Sequence, residues 1–377
     1  QMCIRDSRYP ISKMSERSDR ILLLKDTDKD GIADRNTIYA DGFDDILDGT
    51  AGGVLPLADR IYFACIPHIW SLRDTNDDGE ADERRKIFSG FGPRISLAGH
   101  DLNGFSLGPD GRLYGTVGDR ALNVSTQEGR NYSYNDQGVV YRFDPDGSHF
   151  EVVHTGLRAP QGVTFDRRGN PVTVDSDSGQ GDKARIVYIM DGADSGWRTG
   201  HQNLHTFHRE IGYPQRPLNQ WMQERQWDVH HEEQPAFLLP PVGLLPVNPA
   251  GLAYYPGTGF PDRALNSFLL CDNNPDPRGS GIWSFQLQPE GAGMRLKRHH
   301  KVIWGTRATD LAFGNDGRLY VCDIIGKNNT ERDGRIFTLM SEPDPTPPEE
   351  AGVAGLLSRD GIMKLPPIKL FELMKHR

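Results

Sequence analysis

The chain has little cysteine, no long apolar run and no excess of positive charge, and each shortage closes off a class of protein. Its 377 residues hold four cysteines, Cys3, Cys65, Cys271 and Cys322, with no CxxC, no CxxCH and no zinc-like spacing. They read as strand cysteines and say little about redox compartment. No stretch approaches the ~18 consecutive apolar residues of a membrane-spanning helix, and mean hydropathy is −0.58. A net charge of −9 offers no basic stripe to neutralise phosphates, so nucleic acid is not an expected partner and neutral or cationic ligands fit better. P-loop and GxGxxG motifs are absent, and the one GxSxG match, GFSLG at 104–108, runs into a Pro-Asp-Gly turn between two expected strands instead of forming a strand-to-helix elbow, which argues against nucleotide enzymes and triad hydrolases. The opening QMCIRDSR is neither a start context nor a signal peptide. Residues 1–19 are therefore expected to be a truncated or artefactual N-terminus.

Turn residues are plentiful instead, with 42 glycines and 26 prolines punctuating short β-rich runs. Five stretches share one form, an apolar strand, a turn with Asp or Gly, and a strand ending in a small or acidic residue. They are AGGVLPLADRIYFAC, NGFSLGPDGRLYGTVGD, QGVTFDRRGNPVTVDSD, AGLAYYPGTGFPDRALNSFLLCD and TDLAFGNDGRLYVCD. Marked at Gly52, Gly104, Gly162, Gly251 and Asp310, they step by 52, 58, 89 and 59 residues. A third strand follows each, and often a fourth. Four-strand repeats near this length are the pattern of propeller blades; a solenoid, with shorter repeats, is the weaker reading.

RILLLKD and NTIYADGF resemble the last two strands of a further blade. The expected fold is an all-β, six-bladed β-propeller over residues 20–340 with its first blade incomplete. An insertion of about 192–247, a Pro-rich linker at 341–350 and the start of a helical repeat at 351–377 complete the expected organisation.

Antiparallel blades place the start of each first strand and the end of each second strand on one face. That face collects His100 and Asn103, then Arg158 and Gln161, with the strand-end carboxylates Asp119, Asp175, Asp177, Asp272 and Asp323. An imidazole there can remove a hydroxyl proton, and a guanidinium can hold carboxylate or quinone oxygens. The plain reading is that His100 caps a blade junction and Arg158 pairs with a strand-end aspartate. The opposite face carries DTDKDGIAD and DTNDDGEAD, whose oxygen ligands Asp26, Asp28, Asp30, Asp34 and Asp74, Asn76, Asp78, Asp82 fit compact calcium loops as well as solvated acidic turns. The insertion holds Trp197, Trp221 and Trp227 with His201, His205, His208, His230 and His231. It reads as a lid or docking surface, and without HExxH spacing its histidines are expected to be solvated.

HDLNGFSLGPDGRLYGTVGD, GLRAPQGVTFDRRGNPVTVDSDSG and DGADSGWRTG together resemble the membrane-bound dehydrogenase propeller family, itself similar to soluble quinoprotein glucose and sorbosone dehydrogenases. The resemblance spans about residues 20–340. It implies pyrroloquinoline quinone as cofactor, His100 as base and Arg158 as cofactor arginine, with Asn103 and Gln161 beside it and the strand-end carboxylates orienting a sugar or alcohol. Ala159 stands where the family carries an asparagine that contacts the quinone. The resemblance further implies calcium, an exported periplasmic protein, and a c-type haem domain receiving the electrons. Two other readings stay open, a non-catalytic carbohydrate- or protein-binding propeller and a lactonase-like metal hydrolase.

Overall fold

The computed structural model describes residues 19–341 apart from 29, 45–48, 58, 93–99, 121, 179–181, 200–209, 213–229, 234–237, 275 and 329–330. Cys3, His201, His205, His208, Trp221, Trp227, the linker from 342 and the expected helical tail at 351–377 lie outside the described residues.

Local turn chemistry sets the strand pairs. In the Pro109–Asp110–Gly111 turn, Gly108 N donates to Arg112 O at 2.8 Å and the Asp110 side chain accepts from Arg112 N at 3.2 Å. Gly111 takes φ +80°, which a glycine reaches without steric cost. The Asn315–Asp316–Gly317 turn repeats the device, with Gly314 N donating to Arg318 O at 2.9 Å and Gly317 at φ +77°.

The chain divides into two compact units, residues 1–165 with 169–249, and 166–168 with 250–377. The first unit holds three blade sheets. One pairs Ala51–Leu57, Arg60–Cys65, His68–Arg73 and Glu83–Ser89 in sequence order. The next pairs Leu102–Leu107, Leu113–Val117, Gly138–Phe143 and Glu151–Leu157, and Ala193–Asp194 adds a short parallel strand on its outer edge. The third pairs Val163–Phe165, Pro171–Asp175, Ala184–Tyr188 and Gly243–Leu245. In the second unit, Pro249–Tyr254, Ser267–Asp272, Gly281–Glu290 and Gly293–Trp304 form one sheet, and Ala308–Phe313, Leu319–Asn328 and Glu331–Leu339 another. The long edge strand Gly293–Trp304 carries two register shifts and exposed Lys297 and Arg298, devices that discourage pairing with another chain.

The protein is an all-β propeller, but the expectation of six blades is corrected. Five blade sheets are present among the described residues. Asp19–Lys25 and Arg35–Phe43 pair only with each other. One face of this ribbon packs Ile21, Leu23 and Tyr39 against Phe43, Phe63 and Leu72. The other leaves Leu22, Leu24 and Ile38 40–50% exposed, because no further strand in residues 19–43 completes a blade.

The core of the first unit is aromatic. Phe88, Phe91, Tyr141, Phe143 and Phe150 are buried together, with Tyr141 and Phe150 stacked at 5.3 Å between ring centroids. The Tyr141 hydroxyl is buried with no hydrogen-bond partner among the described residues, an arrangement that costs about 1–3 kcal/mol. Tyr141→Phe is therefore expected to hold or raise stability in a urea melt. A loss of more than about 1 kcal/mol would show that the hydroxyl has a partner.

Candidate functional site

Register alone brings His100 and Asp119 together. Leu102 pairs with Val117, and Gly118 N extends the ladder by donating to Asp101 O at 3.0 Å. His100, two residues before the first strand, then faces Asp119, two residues after the second. Gly118 has to be a glycine for this approach, since a Cβ there would lie 2.4 Å from the His100 carbonyl oxygen and 2.6 Å from its Cα.

His100 Nδ1 lies 2.6 Å from Asp119 Oδ1, with the two side chains only 8% and 2% exposed. The other oxygen, Oδ2, accepts from the Trp197 indole N–H at 2.7 Å and the Thr199 hydroxyl at 2.8 Å. Burial pushes the Asp119 carboxyl upward, but the donors His100, Thr199 and Trp197 outweigh it and hold the group below the usual carboxylate range. An ionised carboxylate only accepts hydrogen bonds. Nδ1 therefore carries the shared hydrogen, and Nε2 is the ring nitrogen available for proton transfer.

Arg158 joins the same cluster. Its carbonyl accepts from Asp119 N at 2.7 Å, and its half-buried guanidinium lies 5.5 Å from the centre of the Trp197 ring. Trp197 thus touches both the dyad and the arginine. Asn103 is spent on structure, its amide donating to Asp101 O at 3.1 Å and Pro160 O at 2.8 Å. Half-buried Gln161 donates to Ala159 O at 3.2 Å.

The strand-end carboxylates fall into different surroundings. Asp175 is fully buried, accepting from Arg158 N at 3.0 Å, Ala159 N at 2.8 Å and the Arg185 guanidinium at 2.5 Å. Its oxygens are consumed, which makes it a post beneath Arg158 and not a substrate ligand. Asp119 likewise serves the imidazole, and half-buried Asp177 lies two residues beyond Asp175. Asp272 and Asp323 belong to the second unit. Asp272 takes Asn274 Nδ2 at 2.7 Å and Trp283 Nε1 at 3.0 Å. Asp323 Oδ2 takes Arg335 Nε at 2.8 Å, while its Oδ1 is buried without a partner among the described residues.

A second histidine is excluded from chemistry by its bonds. Buried His154 receives Met190 N on Nδ1 at 3.4 Å and faces Ser195 Oγ through Nε2 at 2.9 Å. With Nδ1 accepting, Nε2 donates to the serine and cannot take its proton. Burial, with the Arg185 cation adding to it and Asp194 opposing it, pushes this imidazole down to about 4. A base whose folded value is depressed stabilises the fold above its unfolded value near 6.5, and that contribution is lost as pH falls from there towards 4. A loss of about 3 kcal/mol over this window is expected from urea melts. A His154→Phe variant that loses stability as steeply over the same window would disprove the assignment.

The acidic stretches form the expected connections between strands, at 74–82 and over the described residues of 26–34. Ligand atoms of Asp26, Asp28 and Asp30 lie within 4.8 Å of one another. Asp34 and Asp82 bond instead to Thr27 N at 3.0 Å and Thr75 N at 3.1 Å, closing each loop. Asp74 Oδ2 accepts from Gly79 N at 2.8 Å, and Asp78 takes the Asn76 amide at 3.0 Å. His230 and His231 are exposed. Among the described residues no helix is long and apolar enough to cross a membrane.

Known structures share this fold. The chain has the fold of an oxidoreductase (glucose dehydrogenase) from Thermus thermophilus, with a TM-score of 0.53, 18% identity, and 80% of this chain and 84% of that one covered. It is similarly related to a further glucose dehydrogenase (TM-score 0.53, 17% identity, 78% and 83% covered). A third neighbour is the holo PQQ domain of pyranose dehydrogenase from Coprinopsis cinerea (TM-score 0.52, 14% identity, 86% and 87% covered). No curated protein matches the sequence. The chain belongs to the DUF7133 family, a domain of unknown function, whose model matches residues 4–328.

Thr199 and Arg185 are site residues that the sequence did not mark, and Trp197 was marked only as part of the insertion, without its place beside Asp119. A signal for Trp197 and Thr199 existed in DGADSGWRTG, whose tryptophan and threonine sit at the start of the insertion and reach back to Asp119.

Proposed function

We propose that this propeller is the head of a quinoprotein-like dehydrogenase that oxidises a sugar or alcohol. One observation carries the reading, the 2.6 Å contact of His100 with an Asp119 whose second oxygen is closed by Trp197 and Thr199. The arrangement fixes an imidazole with Nδ1 anchored and Nε2 free to receive a hydroxyl proton. Asp119 compensates the positive charge that forms on the ring. Trp197 and Thr199 keep that carboxylate from turning away.

The side chains present fit an anionic quinone in part. Arg158 supplies a half-buried guanidinium against the Trp197 face, and Gln161 a nearby amide. Ala159 supplies only a methyl group where the related dehydrogenases use asparagine. When bound, pyrroloquinoline quinone would supply the oxidising power by accepting hydride. Asp177 remains a candidate substrate contact. Calcium at Asp26, Asp28 and Asp30 would be structural, and a c-type haem partner and an exported, periplasmic setting follow from the same resemblance.

The test is to load the protein with pyrroloquinoline quinone and calcium and follow dye reduction with a panel of sugars and alcohols. Substrate-dependent reduction that disappears without the quinone supports the reading. Failure with every substrate, alongside measurable glycan binding, would favour a non-catalytic carbohydrate-binding propeller.

A further inference from the structure

Arg120 directly follows the aspartate of the dyad and has no role in the chemistry described so far. Its Nε stands 3.7 Å from Asp119 Oδ1, the same oxygen that His100 Nδ1 reaches at 2.6 Å. Arg120 and His100 therefore share one carboxylate oxygen. At 3.7 Å the guanidinium makes no hydrogen bond, and Asp119 has no need of one, being supplied by His100, Trp197 and Thr199. The Arg120 side chain is 37% exposed, so its fork of N–H donors is open to a ligand from solution.

Charge in this corner is mixed: buried Asp101, Asp119 and Asp175 stand with Arg120, Arg158 and Arg185, and of these three cations Arg120 is the exposed one. The net charge of −9 works against anions at long range, but salt confines that field to about 8 Å and leaves the nearest charges to decide. A neutral sugar would leave Arg120 with only its 3.7 Å ion pair to Asp119. A carboxylate would pair with it in the bidentate geometry that arginine favours.

We propose that Arg120 binds a carboxylate on the substrate, so that the site takes a sugar acid, a uronate or aldonate, in preference to a neutral sugar. The inference rests on His100 being the base of a dehydrogenase site. In the reaction, a carbinol of the acid becomes a carbonyl. Its hydroxyl proton goes to His100 Nε2 and its hydride to the quinone oxidant of the proposed enzyme, while the carboxylate is unchanged and serves only as a handle.

Binding separates this inference from the activity it rests on. Affinities of the full chain for galacturonate, gluconate and galactose are measured by saturation-transfer NMR for wild type, Arg120→Gln and Arg120→Lys. Wild type is expected to prefer an acid over galactose by roughly tenfold or more, and the preference should shrink as salt rises. Arg120→Gln should erase it and Arg120→Lys keep part of it, with melting temperatures showing that both variants fold. An unchanged preference in Arg120→Gln, equal binding of acid and neutral sugar by wild type, or no binding of either acid would each overturn the inference. Arg120-dependent binding of an acid without any oxidation would leave the carboxylate site standing and sink the dehydrogenase reading. Oxidation of neutral sugars without a preference for acids would do the reverse.

Discussion

His100→Gln is expected to lower the turnover of the quinone-loaded protein by about 10²–10⁴-fold, the range over which a positioned base contributes. The fold should survive, because a glutamine amide can still donate to Asp119 Oδ1 and fill much of the imidazole's volume. Asp119→Asn should lose activity for a different reason. An amide oxygen can accept from Nδ1, but it brings no negative charge to balance the ring once Nε2 has taken a proton. Burial of Asp119 to 1% exposure strengthens the effect, since little water reaches the pair to compensate. Turnover by His100→Gln within a few-fold of wild type, at equal quinone loading, would remove His100 from the mechanism.

Arg185→Met is expected to cost about 3–5 kcal/mol, the penalty for stranding a buried charge. Arg185 is 3% exposed and donates to Asp175, which is fully buried, and to the backbone oxygen of Ser195 at 2.8 Å. Methionine matches the stem of arginine but leaves Asp175 with backbone donors alone and the Ser195 carbonyl without its cation. The damage should extend to the site, because Asp175 receives the amides of Arg158 and Ala159, and Ser195 lies two residues before Trp197. Adding Asp175→Leu should restore part of the stability, since two apolar groups tolerate burial better than one unpaired ion. Denaturant midpoints at constant slope measure both steps. A loss below about 1 kcal/mol for Arg185→Met would mean that the ion pair is not what holds this corner.

The sheets were legible because each blade is written locally. A Pro-Asp-Gly or Asn-Asp-Gly turn between alternating apolar runs specifies a hairpin wherever it stands; two of the five repeated pairs carry one, and all five appear within sheets. The number of blades was less legible. RILLLKD and NTIYADGF have the alternation of blade strands, but periodicity in two strands cannot supply the inner pair, and the ribbon they form leaves Leu22 and Leu24 exposed.

His100 and Asp119 could be paired from the sequence once the hairpin register was drawn, since they flank the same two strands. The roles of the other carboxylates were hidden for a physical reason. Asp175 and Asp272 end second strands, Asp119 follows one and Asp323 lies within one, and alternation does not record what lies across the ladder. Asp175 faces Arg185 and Asp323 faces Arg335 in their hairpins, whereas Asp272 faces Gly281. A strand-end aspartate with an arginine at its cross-strand position is thus marked as a post, and that pairing can be read from hairpin spacing. Trp197 and Thr199 could not be placed that way. They return from an insertion, and only tertiary contact brings them to Asp119.

The ring state of His100 decides the matter most directly. Nitrogen-15 NMR of the histidine-labelled protein, with His100→Gln to assign the signal, is expected to show a hydrogen-bonded proton on Nδ1 whose signal shifts in Asp119→Asn, where the charged acceptor becomes a neutral amide, and an Nε2 signal that moves when substrate is added. A His100 whose Nδ1 carries no proton, or whose Nε2 does not respond to any sugar or alcohol that the protein oxidises, would contradict a base held by Asp119.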